Sequence, residues 1–175
     1  DDGNCVLIFC PGLQYIDALM DLMSDLCKDS YTGPLLANST EVFIFHSLID
    51  KEAQLLAFEP VPAGKTRLIF STNIAESSVT IPNVRYVIDS GLQKEVDVDP
   101  RFQCETLLLK WVSRAAATQR MGRTGRLFPG VAIRLYSESL YKNKLNPFEI
   151  PELLRVPLTS TVLRSTRAEA SQTMA

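Results

Sequence analysis

No arrangement of cysteines in this chain marks out a scaffold or a metal site. Cys5, Cys10, Cys27 and Cys104 contain no C-x-x-C pair and no metal-ligand spacing with His46, the one histidine among 175 residues. A zinc module and a disulfide framework are therefore excluded, and the thiols read as buried or free in a reducing compartment. There is no twenty-residue apolar run and no signal-like start, so a cytoplasmic or nuclear location is expected. Charge of one sign is lacking too: 18 Lys+Arg stand against 20 Asp+Glu, a net charge of −2. No global basic field attracts nucleic acid, and any such contact must come from local geometry. A phosphate-cradling loop is also missing. Ala63-Gly64-Lys65-Thr66 imitates the end of G-x-x-x-x-G-K-[ST], but Glu59 stands where the first glycine is required, and Pro60 and Pro62 intrude. The segment also precedes a strand where such a loop must follow one, so it reads as a surface loop.

What is present is enough for one sizeable core, with 46% hydrophobic residues. Cys5 to Phe9 is a continuous apolar run suited to a strand buried on both faces. Beyond Pro11-Gly12, the residues Leu13, Ile16, Met20, Met23 and Cys27 recur at helical spacing. Val42 to Phe45 reads as a strand, and Asp50 is placed to cap a helix that Pro60 ends. Leu68 to Phe70 and Val84 to Ile88 read as strands. Leu92 to Val98 and Gln103 to Trp111, parted by Asp99-Pro100-Arg101, read as a hairpin. Ser113 can cap a following helix, and Val131 to Tyr136 returns as a strand. This alternation predicts an α/β fold with a mostly parallel sheet flanked by helices, its ligands at the carboxyl ends of the strands. One domain over residues 1–164 and a fraying polar tail over 165–175 are expected. The start at Asp1, without an initiator Met, suggests a piece of a longer protein.

Two polar clusters carry the chemistry. Gln119-Arg120-Met121-Gly122-Arg123-Thr124-Gly125-Arg126 holds three arginines and no acid. At helical pitch Gln119, Arg123 and Arg126 fall on one side, and guanidinium forks without a carboxylate suit a phosphate chain, as an arginine finger does. The plainer alternative is a solvated basic helix end favoured by the helix dipole. The other cluster runs from Ser71-Thr72-Asn73-Ile74-Ala75-Glu76 to Pro82 and follows the apolar Leu68-Ile69-Phe70. Together these clusters resemble motifs VI and V of superfamily 2 helicases, in the wording of the DEAH-box and DExH RNA helicases. Val6-Leu7-Ile8-Phe9-Cys10-Pro11-Gly12 resembles motif IV, and Phe45-His46-Ser47-Leu48-Ile49 resembles motif IVa. Asp89-Ser90-Gly91-Leu92 is similar to the segment just past motif V, and Pro151-Glu152-Leu153-Leu154-Arg155 to the stretch that closes this lobe. The Pro-Gly of motif IV and the Arg155-Val156-Pro157-Leu158 ending lean toward the RNA helicase A branch. In two places the wording departs from the family's: Thr124 stands where Ala is commoner, and Pro82 where many members carry an Asp for the ribose hydroxyls.

The resemblance implies a second RecA-like lobe with a β-hairpin projecting toward the nucleic-acid path. It implies that Arg123 and Arg126 reach the phosphates of ATP held mainly by a first lobe of the same parent chain, while Gln119 positions the attacking water or the γ phosphate. Phe58 stands where the family stacks an aromatic on adenine, though a core aromatic at a helix end is an equal reading. Thr80 matches a threonine that touches the ribose. Thr72 and Asn73, with Ser47 and the Gly12 backbone, match positions that contact the RNA sugar-phosphate backbone without reading bases; turn chemistry alone also favours such residues. No Asp-Glu-x-His is present, so magnesium and the rest of the ATPase site would belong to the first lobe, and the isolated chain would be inactive. The alternatives are a scaffold that binds RNA or protein without turnover, and a superfamily 2 DNA helicase lobe.

Overall fold

The computed structural model describes residues 4–30, 32–49, 52, 55–77, 81–99 and 104–155. In chain order the elements are β1 (Asn4–Phe9), α1 (Leu13–Lys28), α2 (Gly33–Ser39), β2 (Thr40–Phe45), a 3-10 turn (Leu56–Phe58), β3 (Thr66–Ser71), the one-turn helix α3 (Ile74–Ser77) and β4 (Val84–Asp89). There follow β5 (Leu92–Asp99), β6 (Cys104–Trp111), α4 (Arg114–Met121), β7 (Val131–Arg134), α5 (Glu138–Asn143) and a second 3-10 turn (Glu152–Leu154). The chain divides into two compact units, Asp1–Gln93 with Leu109–Glu149, and Lys94–Leu108 with the stretch beginning at Ile150.

The larger unit is a five-stranded parallel sheet in the order β2-β3-β1-β4-β7, the RecA-like α/β arrangement. Successive side chains on a strand face opposite ways, so each apolar run feeds two cores. Cys5, Leu7, Phe9, Phe45, Ile69 and Val87 join Ala57, Val61 and Ala75 in one. Ile8, Val42, Ile44, Leu68 and Phe70 meet the apolar stripe of α1, Ile16, Leu19, Met20 and Met23, in the other. Each fully buried Val, Leu, Ile or Phe among them contributes about 1.5–3 kcal/mol. The strands end level, with Phe9 and Phe45 both beside Ser71, and Phe9 beside Asp89. The loops after β1, β2 and β3 therefore open on one shared rim.

The expected strands, α1 and the hairpin pair β5–β6 are all present, and Ser113 caps α4 by accepting from the Ala116 N–H at 3.0 Å. Asp50 and the tail lie outside the described residues. Three helices go beyond the sequence expectation: α2, the single turn α3 and α5. In α2 the Gly33-Pro34 pair opens the helix, since proline's missing N–H is harmless in a first turn. In α5 Ser137 supplies the cap, accepting from the Leu140 N–H at 3.1 Å.

One expectation is corrected. The basic cluster is not helical through Arg126: α4 ends at Met121, and Gly122, Arg123 and Thr124 close tight turns back onto Thr118, Arg120 and Met121. Gly125 follows at φ +74°, a conformation glycine takes without strain. Arg123 and Arg126 thus sit on a loop. Gly91, between β4 and β5, has φ +74° and faces the Tyr136 ring so closely that a Cβ would stand 2.5 Å from it. Ala63-Gly64-Lys65-Thr66 does lead into β3 as a turn, with Lys65 3.8 Å from Glu41. In the smaller unit Arg155 donates to the Val96 carbonyl at 2.6 Å and pairs with Glu95 at 2.9 Å, pinning β5 to the turn that follows Pro151. Among the described residues no helix is long and apolar enough to cross a membrane.

Candidate functional site

The loop after α4 is fastened at several points. The Thr124 hydroxyl shares its proton between the carbonyls of Val84 and Arg85, at 2.8 and 3.0 Å, which ties the loop to the start of β4. An alanine there would lose both contacts, so the departure from the family's commoner residue has a structural use. Arg123 is half-buried and donates through Nη2 to the Glu76 carbonyl on α3. Arg126 is exposed, its Nε donating to the Gly122 carbonyl at 3.2 Å. The two guanidinium groups line one cavity of about 250 Å³ with Ile81, Pro82, Asn83, Val84, Leu127 and Phe128. Burial, and then the positive charge of Arg126, hold Arg123 below its ordinary pKa, with Glu76 pulling the other way. Two like charges lining one pocket favour an anion between them. Among the described residues no carboxylate lines the cavity, so its donor set fits phosphate oxygens and not a metal ion. Gln119 is exposed on α4 and does not line it.

The third arginine behaves differently, and the sequence reading missed it. Arg120 is fully buried, its Nε 2.5 Å from Glu76 Oε1 and its Nη1 2.8 Å from Asp89 Oδ1, with the guanidinium 4.9 Å from the Phe9 ring centre. Asp89 also accepts from the Gly91 N–H at 2.9 Å and from the Tyr136 hydroxyl at 2.8 Å. Burial, then Asp89, push the Tyr136 phenol up out of its ordinary range. Burial raises Glu76 despite the pull of Arg120. Glu76 therefore touches both neighbours: its carboxylate holds Arg120 and its carbonyl holds Arg123. The one available signal was two acids directly after apolar residues, Glu76 after Ile74-Ala75 and Asp89 after Val87-Ile88.

The rim collects the other candidates. Gly12 follows β1 in extended geometry, its carbonyl accepting from Tyr15 and Ile16 at the start of α1. Ser47 is exposed after β2. After β3, Thr72 is buried with its N–H donating to the Phe45 carbonyl at 3.1 Å, and Asn73 is exposed with its carbonyl accepting from the Glu76 N–H. The level strand ends thus bring Gly12, Ser47, Thr72 and Asn73 to one edge. Phe58 is half-buried and lies against the core, its ring 5.7 Å from that of Phe45. Thr80 lies outside the described residues. Among the described residues no group of three or more His, Cys, Asp or Glu side chains could hold a metal ion.

A family model described as "Helicase conserved C-terminal domain" matches residues 1–128. "Probable ATP-dependent RNA helicase spindle-E" of Drosophila erecta is 39% identical over 168 residues, covering 95% of this chain and 11% of that protein. "Probable ATP-dependent RNA helicase DHX34" of Mus musculus is 40% identical over 164 residues, covering 94% of this chain and 14% of that protein. Among solved structures, the E. coli DExH-box NTPase HrpB superposes with a TM-score of 0.77 at 27% identity, over 92% of this chain and 19% of that one. The chain therefore spans only a small fraction of the proteins it matches.

Proposed function

Since the chain belongs to the helicase conserved C-terminal domain family, in the DEAH/DExH branch of superfamily 2, we propose that it serves as the second RecA-like lobe of an ATP-dependent RNA helicase. The observation that carries this reading is the pair Arg123 and Arg126 lining one cavity, with no carboxylate among its described lining residues. ATP bound with magnesium on the first lobe would supply the phosphoryl group, whose transfer to water loads negative charge onto its oxygens. Arg123 and Arg126 offset that charge as preorganised donors, an effect worth about a thousandfold or more in rate. Gln119 orients the water or the γ phosphate, Phe58 stacks on the adenine and Thr80 contacts the ribose. On the rim, Gly12, Ser47, Thr72 and Asn73 grip the RNA backbone through amides and hydroxyls, so binding is independent of sequence. The isolated chain lacks the half of the site that holds magnesium, and does not turn over ATP alone. A cytoplasmic or nuclear location goes with this role.

The test is ATP turnover by the full-length parent with RNA, with DNA and with neither. Arg123→Ala or Arg126→Ala should lower turnover about a thousandfold while a fluorescent nucleotide still binds. Preserved turnover would remove the finger assignment. No turnover in the unaltered parent would favour a binding scaffold, and equal stimulation by DNA would remove the RNA preference.

A further inference from the structure

Outside the finger loop, one buried charge has a job that core packing does not explain. Arg67 on β3 is only 4% exposed. Its Nη1 donates to two carbonyls, those of Ala57 at 3.0 Å and Glu59 at 2.6 Å. These are the residues immediately before and after Phe58. The other side of the fork, Nη2 and Nε, meets Glu41 Oε2 at 2.8 and 3.3 Å. Glu41 is the register partner of Arg67 across β2 and β3. Alternate residues of β2 share a face, so Glu41, Phe43 and Phe45 form a row. Glu41 fixes the charge, Phe43 lies under it at 4.8 Å, and Phe45 holds the ring of Phe58 at 5.7 Å.

A buried guanidinium is costly unless its donors are satisfied, and an apolar residue would pack this surface at lower cost. The return for keeping it is geometric. A planar guanidinium that gives one nitrogen to both flanks of an aromatic while its other edge is held by Glu41 sets that residue's backbone in place against β2, which a point charge cannot do. Phe58 itself is half-buried, with part of its surface left toward solvent.

We propose that Arg67, braced by Glu41, is a positioning residue for purine binding: it sets Phe58 at the stacking position and so controls affinity for the base without touching the nucleotide. This rests on the reading of Phe58 as the base-stacking aromatic. Preorganisation of the stacking face lowers KM for a ligand with a base and leaves the phosphoryl chemistry unchanged.

The experiment measures KM and kcat in the full-length parent at saturating RNA, for ATP and for ribose 5′-triphosphate, which carries no base. Phe58→Ala should raise KM for ATP about tenfold, the loss of one base–aromatic stack. Arg67→Lys, which keeps the charge but not the fork, should raise it about fivefold with kcat within about twofold. Neither change should move KM for ribose 5′-triphosphate, and the double variant should be no worse than Phe58→Ala alone. Glu41→Gln, a milder change that retains size and one acceptor, should give the same pattern at about twofold and serves if Arg67→Lys does not fold. If Phe58→Ala raises KM and neither Arg67→Lys nor Glu41→Gln does, the clamp is wrong and the stacking reading stands. Multiplying effects, or equal shifts for both substrates, would reduce Arg67 to a fold residue. An unmoved KM for ATP in Phe58→Ala would remove the stacking reading and the clamp together.

Discussion

Replacing Arg120 with methionine should damage the fold far more than replacing either exposed neighbour. Arg120 is wholly enclosed and meets two carboxylates, at 2.5 and 2.8 Å, as well as the Leu92 carbonyl at 3.3 Å. Methionine fills much of the same volume, so the apolar contact with Phe9 is largely kept and the change isolates the charge. Glu76 and Asp89 are then left in the interior without their cation, and breaking a buried pair from one side costs about 3–5 kcal/mol. Natural domains are stable by about 5–15 kcal/mol, so a large share of the total is at risk. With a urea m-value near 2 kcal/mol/M, the unfolding midpoint should fall by about 2 M. Equilibrium unfolding of the 175-residue chain, followed by circular dichroism, measures this. Adding Glu76→Gln to Arg120→Met should recover part of the loss, because one of the stranded charges is gone. A midpoint shift below about 0.5 M, or no recovery in the double variant, would mean that the guanidinium does not neutralise these acids.

Three smaller tests follow from neighbouring features. Thr124→Ala removes the hydroxyl shared by the Val84 and Arg85 carbonyls and should cost about 1 kcal/mol, with a reduced kcat in the parent if the loop bearing Arg123 and Arg126 acts as proposed; an unchanged melting temperature would count against the tether. Burial raises Glu76 above its ordinary 4.5, so the folded state holds that proton more tightly than the unfolded one, and this group's contribution to stability falls as pH climbs from 4.5 through the raised value. Glu76→Gln should flatten that part of the stability–pH curve, and an unaltered slope would contradict the assignment. Cys27 and Cys104 are exposed, whereas burial pushes Cys5 up to about 12 and Cys10 to about 11. Iodoacetamide at mildly alkaline pH should label the first two in the native chain and all four in urea, and early labelling of Cys5 would show that its strand is not enclosed.

The strands and α1 were legible because their signal is local. Leu7, Ile69 and Val87 are the middles of short apolar runs, and the spacing from Leu13 to Cys27 is helical on its face. The rim was legible once the strands were, since Gly12, Ser47 and Thr72 each follow one. The basic cluster was half legible. Its composition identifies phosphate-seeking groups, but helical pitch gave the wrong reason for Arg123 and Arg126 sharing a side. Gly122 ends the helix, and a loop fastened by Thr124 does the gathering. Arg120 was invisible because its partners stand 44 and 31 residues away, a distance at which charge pairing leaves no periodic trace. The same holds for Arg67, which serves the turn around Phe58 from a neighbouring strand.

The order of the sheet also dictates how the chain must be assembled. β1 precedes both of its sheet neighbours in the chain yet lies between them, and its edges stay bare until the stretches around Thr66 and Val84 have been made to meet Asn4 and Cys5. An apolar ribbon open on both sides is an invitation to wrong neighbours, and distant pairings form slowly because a long loop must close before they pay any reward. A ribosome that has delivered β1 but not yet the stretches around Thr66 and Val84 therefore holds an apolar strand without either of its sheet neighbours.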